Sequence, residues 1–289
     1  GQAVEVADQI LYVAQEDLRG IIGTGEVQAK LLQATHELLD KLLAGNASDR
    51  ELLESRAVSH GRRGDLAMSQ GRLDEAQREY DEGHRLIEAL RRGKPRAQEQ
   101  NLSVFLERLG DVARDRGQLY QAQRYYERLL ALAERRAQEE PRSADAQQGL
   151  SVSLERLGDV ARARGQLDQA QRYYERKLAL DERRAQEEPR SAAAQQALSA
   201  SLESLASLAR DRGALDQALP LFERALRITS SSALLALCAW GFAARKDFDM
   251  AWHLLREAFD RLDGEPLSRI MPLLWRWMES KRAQAEAAA

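Results

Sequence analysis

The sequence predicts an all-α fold, a solenoid of stacked helical hairpins, and three observations lead there. A glycine followed two residues later by leucine recurs at Gly71, Gly117, Gly165 and Gly213, in steps of 46, 48 and 48 residues. Apolar residues on both sides of it keep a helical period. The segments Asn101–Gln148 and Gly149–Gln196 are two copies of one text, identical at 41 of 48 positions. A chain of 289 residues written this way reads as one elongated array.

Each unit begins with a helix. Leu102, Leu106, Leu109 and Ala113 form its i, i+4, i+7, i+11 stripe. The glycine then supplies a positive φ and ends that helix. A second helix carries Leu119, Ala122, Tyr126, Leu129 and Ala133 on one face. Small residues stand where the two helices approach: Gly110 with Ala122, Gly158 with Ala170, and Ala206 with Ala218. Rings at Tyr80, Tyr126, Tyr174 and Phe222 fill the space beyond each crossing. The second helix runs on until Pro141 or Pro189 interrupts it. Ser143 and Ser191 then suit the N-cap of the next unit, with a helix expected from about Ala144 to Ala163.

The order leucine-glycine, alanine, aromatic, closing proline, as in RLGDVARARGQLDQAQRYYERKLAL, resembles a tetratricopeptide repeat. The usual period is about 34 residues, so these units are of a long-period type. The resemblance implies a right-handed superhelix whose first helices line a concave groove. Linkers such as RRAQEEPRSA are similar to those of bacterial arrays joined to caspase-like, CHAT, TIR or NACHT signalling modules. The array covers residues 49–263, about five hairpins, the last degenerate around Ala239, Ala251, Leu255 and Ala258. Residues 1–48 read as N-terminal capping helices broken at Gly23–Gly25. Residues 264–289 read as a C-terminal capping helix, with Ile270, Leu274, Trp277 and Met278 on its covering face, and a tail.

Charge and composition narrow the function. Lys and Arg number 43 against 46 Asp and Glu, a net charge of −3, so no basic footprint points to nucleic acid. The longest apolar run, Ala233–Ala244, is too short to span a hydrocarbon core that needs about 20 residues. No basic region followed by an apolar core opens the chain. A single cysteine, Cys238, fits a reducing, cytoplasmic setting and reads as a packed core thiol. Arginine outnumbers lysine, which suits a GC-rich bacterial genome, and the abrupt start at Gly1 suits a piece of a longer chain.

Catalytic constellations are scarce. The GTG at Gly23–Gly25 lacks the third glycine and the lysine of a phosphate loop and reads as a helix break. His36, His60, His84 and His253 are far apart in sequence and read as surface or partly buried structural residues. Glu107 with Asp111 and Glu155 with Asp159 are carboxylates one turn apart. Copied along with their arginines, they read as a solvated, salt-laced face or as groove lining. Neither a cofactor nor a metal is expected, and the chain reads as non-catalytic.

The family resemblance makes first-helix residues flanking the leucine-glycine pair face a ligand. That implicates Val104, Glu107, Arg108, Asp111 and Arg114; then Val152, Glu155, Arg156, Asp159 and Arg162; then Ala200, Glu203, Ser207 and Arg210. Family members that clasp a terminal carboxylate use lysines and asparagines there. Glutamate and aspartate in this chain point instead to a partner protein bearing a peptide or helix of alternating charge. Two departures between copies complete the reading. Phe105 replaces a serine and is expected to pack, while Tyr120 replaces an aspartate and is expected to touch the partner. Reversing Glu107, Asp111, Glu155 and Asp159 to lysine is expected to spare the helices and abolish binding.

Overall fold

The computed structural model describes residues 9–10, 25–92, 98–229 and the separate positions 235, 238, 242, 250, 251, 253, 254, 276, 279, 280 and 283. Among the described residues there is no strand. Nine helices have their bounds within them: α1 (Gly25–Gly45), α2 (Arg50–Ser69), α3 (Leu73–Arg91), α4 (Glu99–Asp115), α5 (Leu119–Glu139), α6 (Ala144–Ala163), α7 (Leu167–Glu187), α8 (Ala192–Asp211) and α9 (Leu215–Ile228). Most of the expected C-terminal capping helix, residues 1–8 and 11–24 of the expected N-terminal cap and most of the degenerate unit lie outside the described residues. The chain divides into two compact units, residues 1–153 and 154–289, and α6 runs through the division.

Local chemistry fixes the hairpins. Gly71, Gly117, Gly165 and Gly213 take φ values of 70°, 74°, 73° and 74°, the left-handed region that a Cβ disfavours. At Gly117 the chain closes a Schellman motif, with the Gln118 amide donating to the Ala113 carbonyl at 2.8 Å and the Gly117 amide to Arg114 at 2.8 Å. The Gln166 amide donates to Ala161 in the same way, at 2.8 Å. No heavy atom lies within 4 Å of a Cβ built at Gly165, so the backbone conformation alone demands glycine there. Gly165→Ala is therefore expected to lower stability by about 1–2 kcal/mol in urea unfolding, and Gly165→Asn by less. Equal stability of the alanine variant would contradict this account of the turn.

At the other end of the repeat, Ser143 Oγ accepts from the Ala146 amide at 3.2 Å and Ser191 Oγ from the Ala194 amide at 3.3 Å. These are N-caps of α6 and α8. In the first unit the stripes Leu102, Leu106, Leu109 and Ala113 of α4 and Ala122, Tyr126, Leu129 and Ala133 of α5 are buried. In the second, Leu198, Leu202, Ala206 and Ala209 of α8 join Ala218, Phe222 and Ala225 of α9 in one core that reaches Cys238 and Ala251. Burying a large apolar side chain of this sort contributes about 1.5–3 kcal/mol. Cys238 is fully buried, and burial pushes its thiol up to about 11, which leaves a protonated core residue.

Candidate functional site

In the first unit, α4 presents Val104, Glu107, Arg108, Asp111 and Arg114 on the side away from its buried stripe. Their surroundings divide them. Arg108 donates to Asp65 Oδ2 at 2.5 Å and lies over the Tyr80 ring, 5.7 Å from its centroid, and near the Phe105 ring at 6.0 Å. Asp111 accepts from the Tyr126 hydroxyl at 2.6 Å and lies 3.2 Å from Arg114, which also reaches Asp115 at 3.0 Å. Arg108, Asp111 and Arg114 are thus engaged with side chains of their own unit. Val104 is exposed, Glu107 and Val152 are half-buried, and Tyr120, at the start of α5, is 75% exposed.

The second unit repeats the division. Asp159 accepts from the Tyr174 hydroxyl at 2.6 Å, and Arg162 Nε donates to Asp211 at 2.5 Å. Arg210 lies 3.4 Å from the same aspartate. Ser199 donates to Glu203 at 3.2 Å, while Glu155 lies 3.9 Å from the Lys177 ammonium. Burial raises the carboxyls of both Glu155 and Glu203 above the usual carboxylate range. Arg156, Ala200 and Ser207 are half-buried.

The aspartates belong to a three-residue device that the sequence reading missed. A Cβ built on Gly64, Gly110 or Gly158 would stand 2.3 Å from Cε1 of Tyr80, Tyr126 or Tyr174 respectively. The first-helix glycine therefore makes room for the tyrosine ring itself, and the expected glycine-alanine approach is not what requires it. The hydroxyl on that ring then reaches the aspartate next to the glycine: Asp65, Asp111 or Asp159, at 2.9, 2.6 and 2.6 Å. Burial and the adjacent carboxylate push the Tyr80 and Tyr174 hydroxyls upward, so they stay protonated donors. In α8 and α9 all three members change together, to Ala206, Ser207 and Phe222. A ring without a hydroxyl needs no acceptor. Reversing Asp111 or Asp159 to lysine consequently strands a buried tyrosine, and the expectation that such a variant folds unharmed is corrected.

Two further polar clusters lie off this face. The two long copies differ at seven positions, among them Leu129 against Lys177 and Ala133 against Asp181. Lys177 and Asp181 are 1% and 0% exposed; their charged ends are 3.3 Å apart. Ser201 donates to Asp181 at 2.6 Å and accepts from Lys177 at 2.8 Å. Opposite charges four residues apart, arriving together at apolar positions, were the available signal. Phe105 is buried as expected, in the space that a Cβ on Gly83 would need, 2.3 Å from its ring.

In the first unit His36 and His60, 24 positions apart, meet edge to face with centroids 4.6 Å apart. Both are buried, where surface or partly buried residues were expected. His84 is half-buried with Nε2 3.7 Å from Glu88, and His253 is exposed. His36 Nδ1 lies 3.1 Å from Ser59 Oγ and its Nε2 3.9 Å from Asp40. The serine is fully buried, out of reach of a substrate.

Comparison with known proteins completes the picture. The tetratricopeptide repeat family model matches residues 153–188 and 201–265. No curated protein matches the sequence. The chain is similar in structure to BtubC (BKLC) from P. vanneervenii, with 18% identity, a TM-score of 0.64, and coverage of 84% of this chain and 94% of that one. It is similar to apo RapI at 10% identity and a TM-score of 0.62, covering 88% and 82% of the two chains. A putative kinesin light chain of Podosopora anserina with nearly identical TPR-like repeats matches at 18% identity and a TM-score of 0.51, covering 78% and 92%. At such identities the likeness is one of fold, an all-α helical-repeat solenoid.

Proposed function

We propose that this chain, an array of tetratricopeptide-like helical hairpins, is a non-catalytic scaffold that holds a peptide or helical segment of another protein against its first-helix face and the adjoining start of the second helix. The observation that carries the reading is Tyr120. A tyrosine 75% exposed stands where the neighbouring units place an aspartate, at Asp74, Asp168 and Asp216. Asp74 and Asp168 are each occupied, by Arg116 at 2.8 Å and by Arg212 at 2.7 Å. One copy has therefore given up an acid suited to this surface for an amphipathic ring of the kind that anchors protein interfaces.

Within the first unit, Val104 and Glu107 are the members of the expected first-helix face best placed to meet a partner, and Tyr120 adds an exposed ring at the start of α5. Within the second unit, taken by itself, Glu155 and Glu203 hold the corresponding places. Arg108, Asp111, Arg114, Asp159 and Arg162 hold the hairpins and shape that face. The near-neutral charge suits a protein partner over nucleic acid, and no helix among the described residues is long and apolar enough to cross a membrane. We assign the work to the cytoplasm.

The test is Tyr120→Asp combined with Glu107→Lys. Helical content should be unchanged and the free energy of unfolding should stay within about 0.5 kcal/mol of the parent. Affinity for a protein recovered from the native host should fall about 30-fold, the loss of one interface anchor. An unchanged affinity would remove this face from the function. A second reading makes the chain the regulatory arm of a bacterial signalling enzyme with a caspase-like, CHAT, TIR or NACHT module, on the strength of the linker RRAQEEPRSA shared by both long copies. Such a module encoded in frame with this chain would favour it.

A further inference from the structure

We propose that α1 is a pH-released latch: docked on the first hairpin at neutral pH through the contact of His36 with His60, it lets go in mildly acidic solution and uncovers the α2 surface beneath it. The repeat register supports this first. His60 occupies the position of Leu106, Leu154 and Leu202 in the later units, and Arg63 that of Leu109, Leu157 and Leu205. The first unit alone among these four thus puts ionisable groups into the apolar stripe of its first helix.

The geometry shows why one more proton is not tolerated. His36 of α1 is faced by Asp40 on its own helix, by Arg56, Ser59, His60 and Arg63 of α2, and by Glu79 of α3. Arg56 lies 3.0 Å from Asp40; His60 and Arg63 lie 2.8 and 2.9 Å from Glu79. With both imidazoles neutral, two cations meet two anions. Burial alone would raise the Glu79 carboxyl, but the His60 hydrogen bond and Arg63 hold it below its ordinary value. A proton on His36 meets Asp40 and Glu79, which Arg56 and, for Glu79, His60 and Arg63 already engage, and it must face a second histidine and two arginines in a buried place.

Burial first, then the His60 charge, bring His36 from 6.5 down to about 4. The docked state therefore binds fewer protons than the released one, and docking weakens as pH falls from 6.5 towards 4. At pH 5 the docked-to-released ratio should be about 30-fold smaller than at neutral pH. Among the described residues α1 also packs Leu39, Leu42 and Leu43 with Leu52 and Leu53, and Leu31 and Leu32 with Val58 and Leu66.

Hydrogen exchange on the intact chain at pH 7.5 and 5.0, corrected for the intrinsic pH dependence of exchange, tests this. Amides from Leu32 to Leu43 should lose about 30-fold in protection relative to α5 at the lower pH. His36→Gln and His36→Leu, uncharged at both pH values, should abolish that loss in whichever variant docks α1 at pH 7.5. Should neither dock, a proton NMR titration of His36 in the parent chain decides, with an apparent pKa below 5 expected. Equal relative protection at the two pH values, a loss that persists in the variants, or titration of His36 near 6.5 would overturn the latch.

Discussion

Lys177→Leu should destabilise the second unit by about 3–5 kcal/mol, although it installs the residue found at Leu129 in the other long copy. The substitution takes the ammonium away from the fully buried Asp181 carboxylate, to which the Ser201 hydroxyl and Arg184 at 3.8 Å give partial support. A carboxylate in that position has then lost both water and its closer counter-ion. The double variant Lys177→Leu, Asp181→Ala removes the pair together and restores the sequence of the other copy. It should recover most of the loss, because a buried ion pair replaced by apolar residues of similar volume is commonly neutral or stabilising by about 1–4 kcal/mol. Ser201 then has a route already used by Ser153, whose hydroxyl donates to the Gly149 carbonyl at 2.7 Å. Urea unfolding measures the cycle, and a single variant as stable as the double would contradict the coupling.

Gly158→Ala is the second large effect. The added methyl would stand 2.3 Å from Tyr174 Cε1 and 2.7 Å from its Cδ1, so the ring must leave its place and its hydrogen bond to Asp159. A cost of about 3 kcal/mol is expected, the upper part of the range for overpacking a core. The chain already contains a solution to this clash in α8 and α9, where alanine, serine and phenylalanine occur together. Gly158→Ala with Asp159→Ser and Tyr174→Phe should therefore be more stable than Gly158→Ala alone. If the triple variant is the less stable of the two, the three positions are not the unit described here.

Most of the hairpin architecture was legible because its signals are local. The turn glycine, the 3.6-residue stripe and the capping serine each act within about one helical turn, and the α6 bounds, Ala144–Ala163, follow from them. The site was legible only in part. Asp111 and Glu107 look equivalent in sequence, one turn apart on one face, yet Asp111 turns to Tyr126, 15 residues away across the hairpin. The concerted change to Ala206, Ser207 and Phe222 recorded that link in the text. Lys177 and Asp181 also announced themselves, as paired differences between copies. His36 lies in α1, ahead of the four aligned units, so repeat alignment offers no equivalent from which to read its meeting with His60.

The most direct measurement of the central claim is site-specific photo-crosslinking in the native host, with a benzophenone amino acid placed at the exposed Val104 of α4 and, as a control, at the exposed Glu127 of α5. A scaffold that holds its partner on the first-helix face predicts a discrete crosslinked protein from position 104 and none from position 127. The same products from both positions, or none from position 104 while the partner remains bound, would contradict it.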